Sequence, residues 1–381
     1  MMNGQERIMG RRGFITSASA GVAGLALGGY SGISRAAEAV APAVGNAKNP
    51  LPRWRGFNLL DFFQAFNMDS EHGQGMVSED DLRWIRDWGF DFIRLPMDYW
   101  LWIDTDWRTT RTLKPEDAMK VNTGFFDKID RAVELCRKYQ LHLNLNFHRA
   151  PGYCCNPPRR EPFSLWIDPL AQDAFVFHWD LFARRYKGVS EKELSFNLVN
   201  EPPRNESYAR VMTRATEAIR KHSPDRLIIH DGELTPEMYS PAVGQSMHMY
   251  WPGDLTHYRA PWLDKDGHMP MPTWPLKNKD GSIKCDRRMM ADGWKHWTRF
   301  FAKGVGVHVG ETGCYSKTPH PVFMAWFTDV METLKPTGIG YALWEFRGGF
   351  GILDSGRDDV QYEDWYGHKL DRQLLALMQK N

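Results

Sequence analysis

Glu193-Leu194-Ser195-Phe196-Asn197-Leu198-Val199-Asn200-Glu201-Pro202 is an apolar run that ends abruptly in an amide, a carboxylate and a proline. Leu194, Phe196, Leu198 and Val199 predict a buried strand. Asn200 and Glu201 fall where side chains emerge from a sheet, and Pro202, which has no N–H to donate, stops the ladder. Gly306-Val307-His308-Val309-Gly310-Glu311-Thr312-Gly313 repeats the design, a short strand that delivers one carboxylate at its exit. One glutamate at a strand end is ordinarily a solvated surface residue. Two delivered in the same way are candidates for an acid/base pair.

Outward from these two segments the chain alternates strands with helices or long loops. Arg55–Leu60, Phe90–Pro96 and Leu141–His148 are strand patterns ahead of the Leu194 segment; Arg226–His230 and Gln245–Tyr250 follow it; Gly338–Trp344 comes after the Glu311 segment. Helical periodicity covers about 80–89, 122–139, 171–186, 208–222, 289–303, 321–334 and 368–379. Ser78 is placed to cap the first helix and Gly89 to end it. In Leu141–His148 strict alternation puts the leucines and Phe147 on one face and the polar residues on the other, which in a closed parallel barrel point inward. Eight strand signals with no other repeat predict an α/β fold, a single (β/α)8 TIM barrel over residues 53–381. The competing architecture is an open doubly wound sheet. It lacks its usual marks, a Gly-x-Gly-x-x-Gly after the first strand or a phosphate-cradling Gly-Lys-Ser/Thr turn.

Composition limits the partners. The 381 residues carry 48 basic and 47 acidic side chains, a balance that gives no general field for nucleic acid or an anionic membrane. A neutral ligand fits best. Aromatic residues make up 13% of the chain, with 16 Trp, and flat apolar rings pack against sugar C–H faces as readily as against core side chains. Cys136, Cys154, Cys155, Cys285 and Cys314 are too few and too irregular for a disulfide scaffold or a zinc site. Cys136 falls on a helix and is expected to be buried; the other four leave room for one bridge in an oxidising compartment.

The N-terminus reads as a targeting segment. Arg11-Arg12-Gly13-Phe14-Ile15 precedes a Gly- and Ala-rich apolar run from Ala18 to Tyr30, and Ala37-Glu38-Ala39 offers a small-x-small cleavage site. Residues 1–39 are therefore expected to be a twin-arginine-type signal peptide and 40–52 a linker. The run is short for a membrane span, which needs roughly 20 apolar residues. The mature protein is expected in the periplasm or outside the cell, with no membrane partner after cleavage. N-terminal sequencing of the exported protein should then begin near Val40; an intact Met1 in the periplasmic fraction would contradict it.

A barrel builds its active site from the C-terminal ends of its strands. The exits expected there are Arg94, His148, Asn200 with Glu201, His248 with Tyr250, Glu311 and Trp344. Each alone has a bland role: Arg94 in an ion pair, His148 as a satisfied core histidine, Trp344 in packing. Together they resemble glycoside hydrolase family 5, the cellulase and mannanase family of barrel glycosidases with carboxylates after strands four and seven. The matching segments are Ile93-Arg94-Leu95-Pro96, Asn146-Phe147-His148, Asn197-Leu198-Val199-Asn200-Glu201-Pro202, His248-Met249-Tyr250, Gly310-Glu311-Thr312-Gly313 and Leu343-Trp344-Glu345-Phe346.

The resemblance spans nearly the whole mature chain and implies retaining hydrolysis of a β-linked glucan, mannan or related oligosaccharide. It implies Glu201 as acid/base, Glu311 as nucleophile, Asn200 at the sugar 2-hydroxyl, and His148, His248 and Trp344 around the same ring, with no cofactor. Physical chemistry adds that Arg94 and Tyr250, if beside Glu311, would favour its carboxylate, while Glu201 has to carry a proton to donate. Two rivals are a catalytically silent sugar-binding barrel and a metal-dependent hydrolase using His148, His248 and the glutamates as ligands. The second lacks a His-x-His after strand one and a lysine for a bridging carbamate.

Three long loops carry many of the aromatics, divided here between sugar subsites and mutual packing: Tyr99, Trp100, Trp102 and Trp107; Tyr153 and Trp166; Trp251, Tyr258, Trp262 and Trp274. Glu345 and Asp354 flank a Gly-rich turn and are expected either to brace it or to bind sugar hydroxyls.

Overall fold

The computed structural model describes residues 47–65, 75–156 and 161–381. The twin-arginine segment and its cleavage site lie outside these residues. Eight parallel strands, β1 (Arg55–Asn58), β2 (Phe92–Asp98), β3 (His142–Ala150), β4 (Leu194–Asn197), β5 (Leu227–His230), β6 (Val243–Met249), β7 (Gly306–Thr312) and β8 (Gly340–Leu343), pair in sequence order. β8 returns to β1 through Arg55↔Tyr341, Gly56↔Ala342 and Phe57↔Leu343, which closes the barrel. The longer helices are α1 (Glu79–Asp87), α2 (Phe126–Lys138), α3 (Pro169–Arg185), α4 (Tyr208–Arg220), α5 (Arg287–Thr298), α6 (His320–Leu334) and α7 (Arg372–Lys380). The fold is a (β/α)8 barrel.

Alternation in β3 sorts its side chains as expected. Phe147 faces out and stacks on Trp179 of α3 with ring centroids 4.1 Å apart, where burying such a ring stabilises by about 1.5–3 kcal/mol. The polar set points inward: Asn144 Nδ2 donates to Ser195 Oγ at 2.8 Å, and Asn146 Nδ2 to Asn197 Oδ1 at 2.9 Å. Both amide groups thus find an acceptor on the next strand. Gly56 sits so close to its neighbour that a Cβ there would lie 1.7 Å from the Phe92 carbonyl oxygen, so no other residue fits. Ser78 Oγ accepts from the Asp81 amide at 3.4 Å to cap α1, and Gly89, at φ 87°, follows its end.

Between β5 and β6, where the sequence has no helical periodicity, a single 3-10 turn, Pro236–Met238, forms. Several local expectations change. α7 begins at Arg372 rather than His368, because His368–Leu370 pairs antiparallel with Glu363–Trp365; Asp371 then caps the helix, accepting from the Leu374 amide at 3.0 Å. Tyr99, Trp100, Trp102 and Trp107 are fully buried and form core under the loop after β2. Trp102 packs against Phe126, Phe147 and Phe182. These four rings are not sugar subsites. All five cysteines are free thiols, and Cys136 is buried.

The last residues of the stretch read as a linker are held against the base of the barrel. Asn49 Oδ1 accepts from the Val307 amide at 2.9 Å, and its Nδ2 donates to the carbonyls of Val307 and Gly338 at 2.9 and 3.0 Å. Leu51 lies over Gly306 and Gly244, at the starts of β7 and β6.

Candidate active site

The exit of β4 is tied down on three sides. The Leu198 amide donates to Ile229 O at 3.2 Å, the Asn200 amide to Phe147 O at 2.9 Å, and Trp179 Nε1 to Leu198 O at 3.1 Å. Glu201 follows with φ 41°, a left-handed conformation that residues with a side chain adopt at a cost of order 1–3 kcal/mol and mostly at functional sites. Its backbone is pinned at both ends: the amide donates to Asp231 Oδ2 at 3.2 Å, and the carbonyl accepts from the Tyr153 hydroxyl. The turn aims the side chain into the mouth, where 37% of it is exposed.

Glu311 reaches the mouth by another device. The register of β7 slips between Val309 and Glu311 against β6, and between Val309 and Thr312 against β8. This bulge re-aims the carboxylate, as bulges near active sites commonly do. Gly310 makes it sterically feasible, because a Cβ there would lie 2.5 Å from Ser246 Oγ and 3.4 Å from His248 Nε2. The Glu311 side chain is 5% exposed.

The two carboxylates meet at His248. Its Nδ1 lies 2.7 Å from Glu201 Oε1 and 3.4 Å from Glu311 Oε2, and one oxygen from each carboxylate lies within 4.8 Å of the other. On the far side of the ring, Nε2 lies 3.3 Å from Asp231 Oδ2. Arg94 binds Glu311 Oε1 through Nη1 at 2.6 Å, and Tyr250 donates to Glu311 Oε2 at 3.0 Å. All five guanidinium N–H groups of Arg94 have acceptors: Asn197 Oδ1 at 3.0 Å, Asn58 Oδ1 at 3.0 Å, Glu311 Oε1, Asn200 Oδ1 at 2.7 Å and Asp231 Oδ2 at 3.3 Å. The charge is buried and the fork cannot rotate.

This network sets the protonation states. Burial disfavours an imidazolium at His248, but the carboxylates of Glu311, Asp231 and Glu201 outweigh it and raise its pKa to about 10. Burial pushes Glu201 up, yet the hydrogen bond and charge of His248 bring it below the ordinary glutamate range. Glu311 moves the other way: burial dominates, and His248 and Arg94 only partly counter it. This differs from the expectation that Arg94 and Tyr250 would favour the Glu311 carboxylate while Glu201 carried the proton. At Glu311 burial outweighs the neighbouring charges, and at Glu201 the hydrogen bond and charge of His248 outweigh burial. Asp231 is held well below the carboxylate range, with His248 and Arg94 overcoming its burial. His148 is driven down to about 3 by burial and the Arg94 charge, so it is a neutral imidazole.

Every residue expected at the mouth is at the mouth. His148 stacks on Trp344 with centroids 5.5 Å apart and contacts Asn156 Oδ1 through Nε2 at 2.5 Å. Asn200 donates from Nδ2 to Cys155 Sγ at 3.1 Å, and the Cys155 thiol donates to Asn156 Oδ1 at 3.0 Å. Burial raises the Cys155 pKa, so the thiol stays protonated. Three buried contributors were missed: Asn58, Asn197 and Asp231. Asp231 follows β5 directly, and the strand-exit rule that found the others would have found it too. Of the remaining loop aromatics, Trp166 and Tyr258 are buried, Trp274 donates to Asp329 Oδ2 at 2.8 Å, and Trp262 is half exposed. Asp354 braces its turn through His368 and the Lys369 amide. Among the described residues, Glu201, His248 and Glu311 are the group with the spacing to hold a metal ion.

The cellulase (glycosyl hydrolase family 5) model matches residues 48–349. Endoglucanase C of Acetivibrio thermocellus is 26% identical over 344 residues, covering 81% of this chain and 95% of that protein. Cellodextrinase A of Ruminococcus flavefaciens is 29% identical over 222 residues, covering 55% of this chain and 61% of that protein. A solved glycoside hydrolase structure superposes with a TM-score of 0.76 at 38% identity, covering 86% of this chain and 99% of that one. With a family match across most of its length and the barrel it requires, the chain belongs to glycosyl hydrolase family 5.

Proposed function

We propose that the protein is a retaining β-glycoside hydrolase acting on β-linked glucan, mannan or related oligosaccharides by double displacement, with Glu311 as nucleophile and Glu201 as acid/base. Relatives named endoglucanase and cellodextrinase make a glucan the first substrate to try. The observation that carries the reading is the short gap between the carboxylates, within 4.8 Å, with one imidazole touching both. Retention uses carboxyls roughly 5 to 5.5 Å apart, whereas inversion leaves roughly 6.5 to 9.5 Å for a water.

Before the substrate binds, the transferable proton sits on His248 Nδ1, 2.7 Å from Glu201 Oε1. Crossing that hydrogen bond gives neutral His248 and a protonated Glu201, and the proton belongs to the pair rather than to either residue. Glu201 donates it to the glycosidic oxygen as the C1–O bond breaks and Glu311 bonds to C1. Esterified Glu311 carries no charge, so the largest influence favouring imidazolium at His248 disappears and the proton moves forward. In the second step Glu201 takes a proton from water, the hydroxide adds to C1, and the Glu311 carboxylate leaves. Asn200 faces the 2-hydroxyl, and Trp344 lies under the ring.

The test is hydrolysis of defined β-glucan and β-mannan oligosaccharides, followed by proton NMR before the product mutarotates. The first anomer released should be β, at the same rate with and without EDTA. An α product would overturn the two-step reading. Activity lost in EDTA and restored by a divalent cation would favour the metal-dependent alternative at Glu201, His248 and Glu311.

A further inference from the structure

We propose that Asp231, at the exit of β5, is a positioning residue for this reaction, its charge keeping His248 protonated on both ring nitrogens and its hydrogen bond holding the Glu201 backbone in its left-handed turn. The inference rests on the two-step reading, with Glu201 as the acid.

Asp231 joins three strand ends besides its own. Oδ1 accepts from Asn197 Nδ2 of β4 at 2.8 Å; Oδ2 accepts from the Glu201 amide at 3.2 Å and from Arg94 Nη2 of β2 at 3.3 Å, and lies 3.3 Å from His248 Nε2 of β6, an ion-pair distance without the alignment of a hydrogen bond. Its side chain is 2% exposed, so it lies behind the cleft and does not touch substrate. A carboxylate kept only to neutralise Arg94 would need one of these contacts, and that contact is among the longest Arg94 makes. The others lead to the acid. A neutral imidazole has one nitrogen with a bare lone pair. At His248 that lone pair would face a carboxylate whichever nitrogen carried it, Glu201 on one side or Asp231 on the other. Protonation at both nitrogens removes the conflict, and Asp231 is the partner that makes the second one necessary. The amide bond to Glu201 is equally specific, since it gives the turn's N–H a buried acceptor that keeps the acid aimed at the mouth.

Removing the Asp231 charge acts on every ionisable group that feels it: Arg94, Glu201 and His248 in direct contact, then Glu311 and His308 on β7, His230 beside it and Tyr208 on α4. The negative charge raises His248, Glu201 and Glu311 alike, so its loss lowers all three. The acid limb of kcat/KM reports ionisation of Glu311, and the alkaline limb reports loss of the proton shared by His248 and Glu201. Both limbs should therefore move to lower pH.

The experiment uses Asp231→Asn, an amide of nearly the same volume, beside Glu201→Ala and the unaltered enzyme. Expected for D231N is a loss of about 10–100-fold on substrates with poor leaving groups, as for other residues that orient catalytic groups from behind. The loss should be much smaller on activated aryl glycosides, with both pH limbs displaced toward acid. Equal losses on both substrate classes with an unmoved pH profile would overturn the proposal and leave Asp231 as an ordinary buried ion-pair partner. If E201A itself shows no dependence on the leaving group, the acid assignment fails instead, and the two failures are told apart. Should D231N not fold, nitrogen-15 NMR of the imidazole of His248 in the unaltered protein decides. Both ring nitrogens protonated at neutral pH supports the proposal, and a neutral tautomer overturns it.

Discussion

Glu311→Ala is expected to lower kcat on oligosaccharide by on the order of 10⁴–10⁶-fold, the scale on which loss of an activated nucleophile is felt in hydrolases. The variant should fold, because truncation relieves burial of a charge and leaves Arg94 with four of its five acceptor contacts. The space left beside C1 admits a small anion. Added azide should therefore restore turnover of activated aryl β-glycosides and yield the α-glycosyl azide, by direct attack from the face that Glu311 used. Activity that survives in E311A, or a β-azide from it, would assign the nucleophile elsewhere.

Glu201→Ala should behave differently. Loss of a general acid costs about 10²–10⁴-fold where the leaving group needs a proton. Activated aryl glycosides need little help to depart, so their first step should be nearly preserved and the glycosyl-enzyme should accumulate. Azide then attacks that intermediate and gives the β-glycosyl azide, the opposite anomer to that from E311A. Steady-state rates across leaving groups, with the azide product identified by NMR, check both points. Identical azide anomers from the two variants would sink the division of labour.

Much of this arrangement was legible in the sequence because strand, carboxylate and proline fall together at Leu194–Pro202, and because the Leu141–His148 alternation declares which face is interior. Arg94 and Tyr250 were legible only as residues at the same rim, and folding sets both against Glu311. The parts that could not be read were of three kinds. The bulge at Gly310 leaves no periodicity of its own, since a one-residue slip is visible only against β6 and β8. Tyr99, Trp100, Trp102 and Trp107 have the same composition whether they line a cleft or fill a core. Burial against α2 and α3 decided it, and only folding brings those helices beneath the loop. The protonation pattern depended on how deeply Glu311 is buried and on the 2.7 Å contact of His248 Nδ1 with Glu201, neither of which a one-dimensional rule encodes. Asp231 was a different sort of miss, since its position after β5 was plain and its meaning appeared only once Arg94, Glu201 and His248 were found around it.

The clip formed by Asn49 carries a practical corollary. Its bonds to Val307 and Gly338 seat the chain under the strand starts, at the pole opposite Glu201 and Glu311. Anything spliced ahead of Lys48, whether a tether to a resin, a display scaffold or a neighbouring module, departs from the underside. A long polymer would still find the catalytic opening unobstructed.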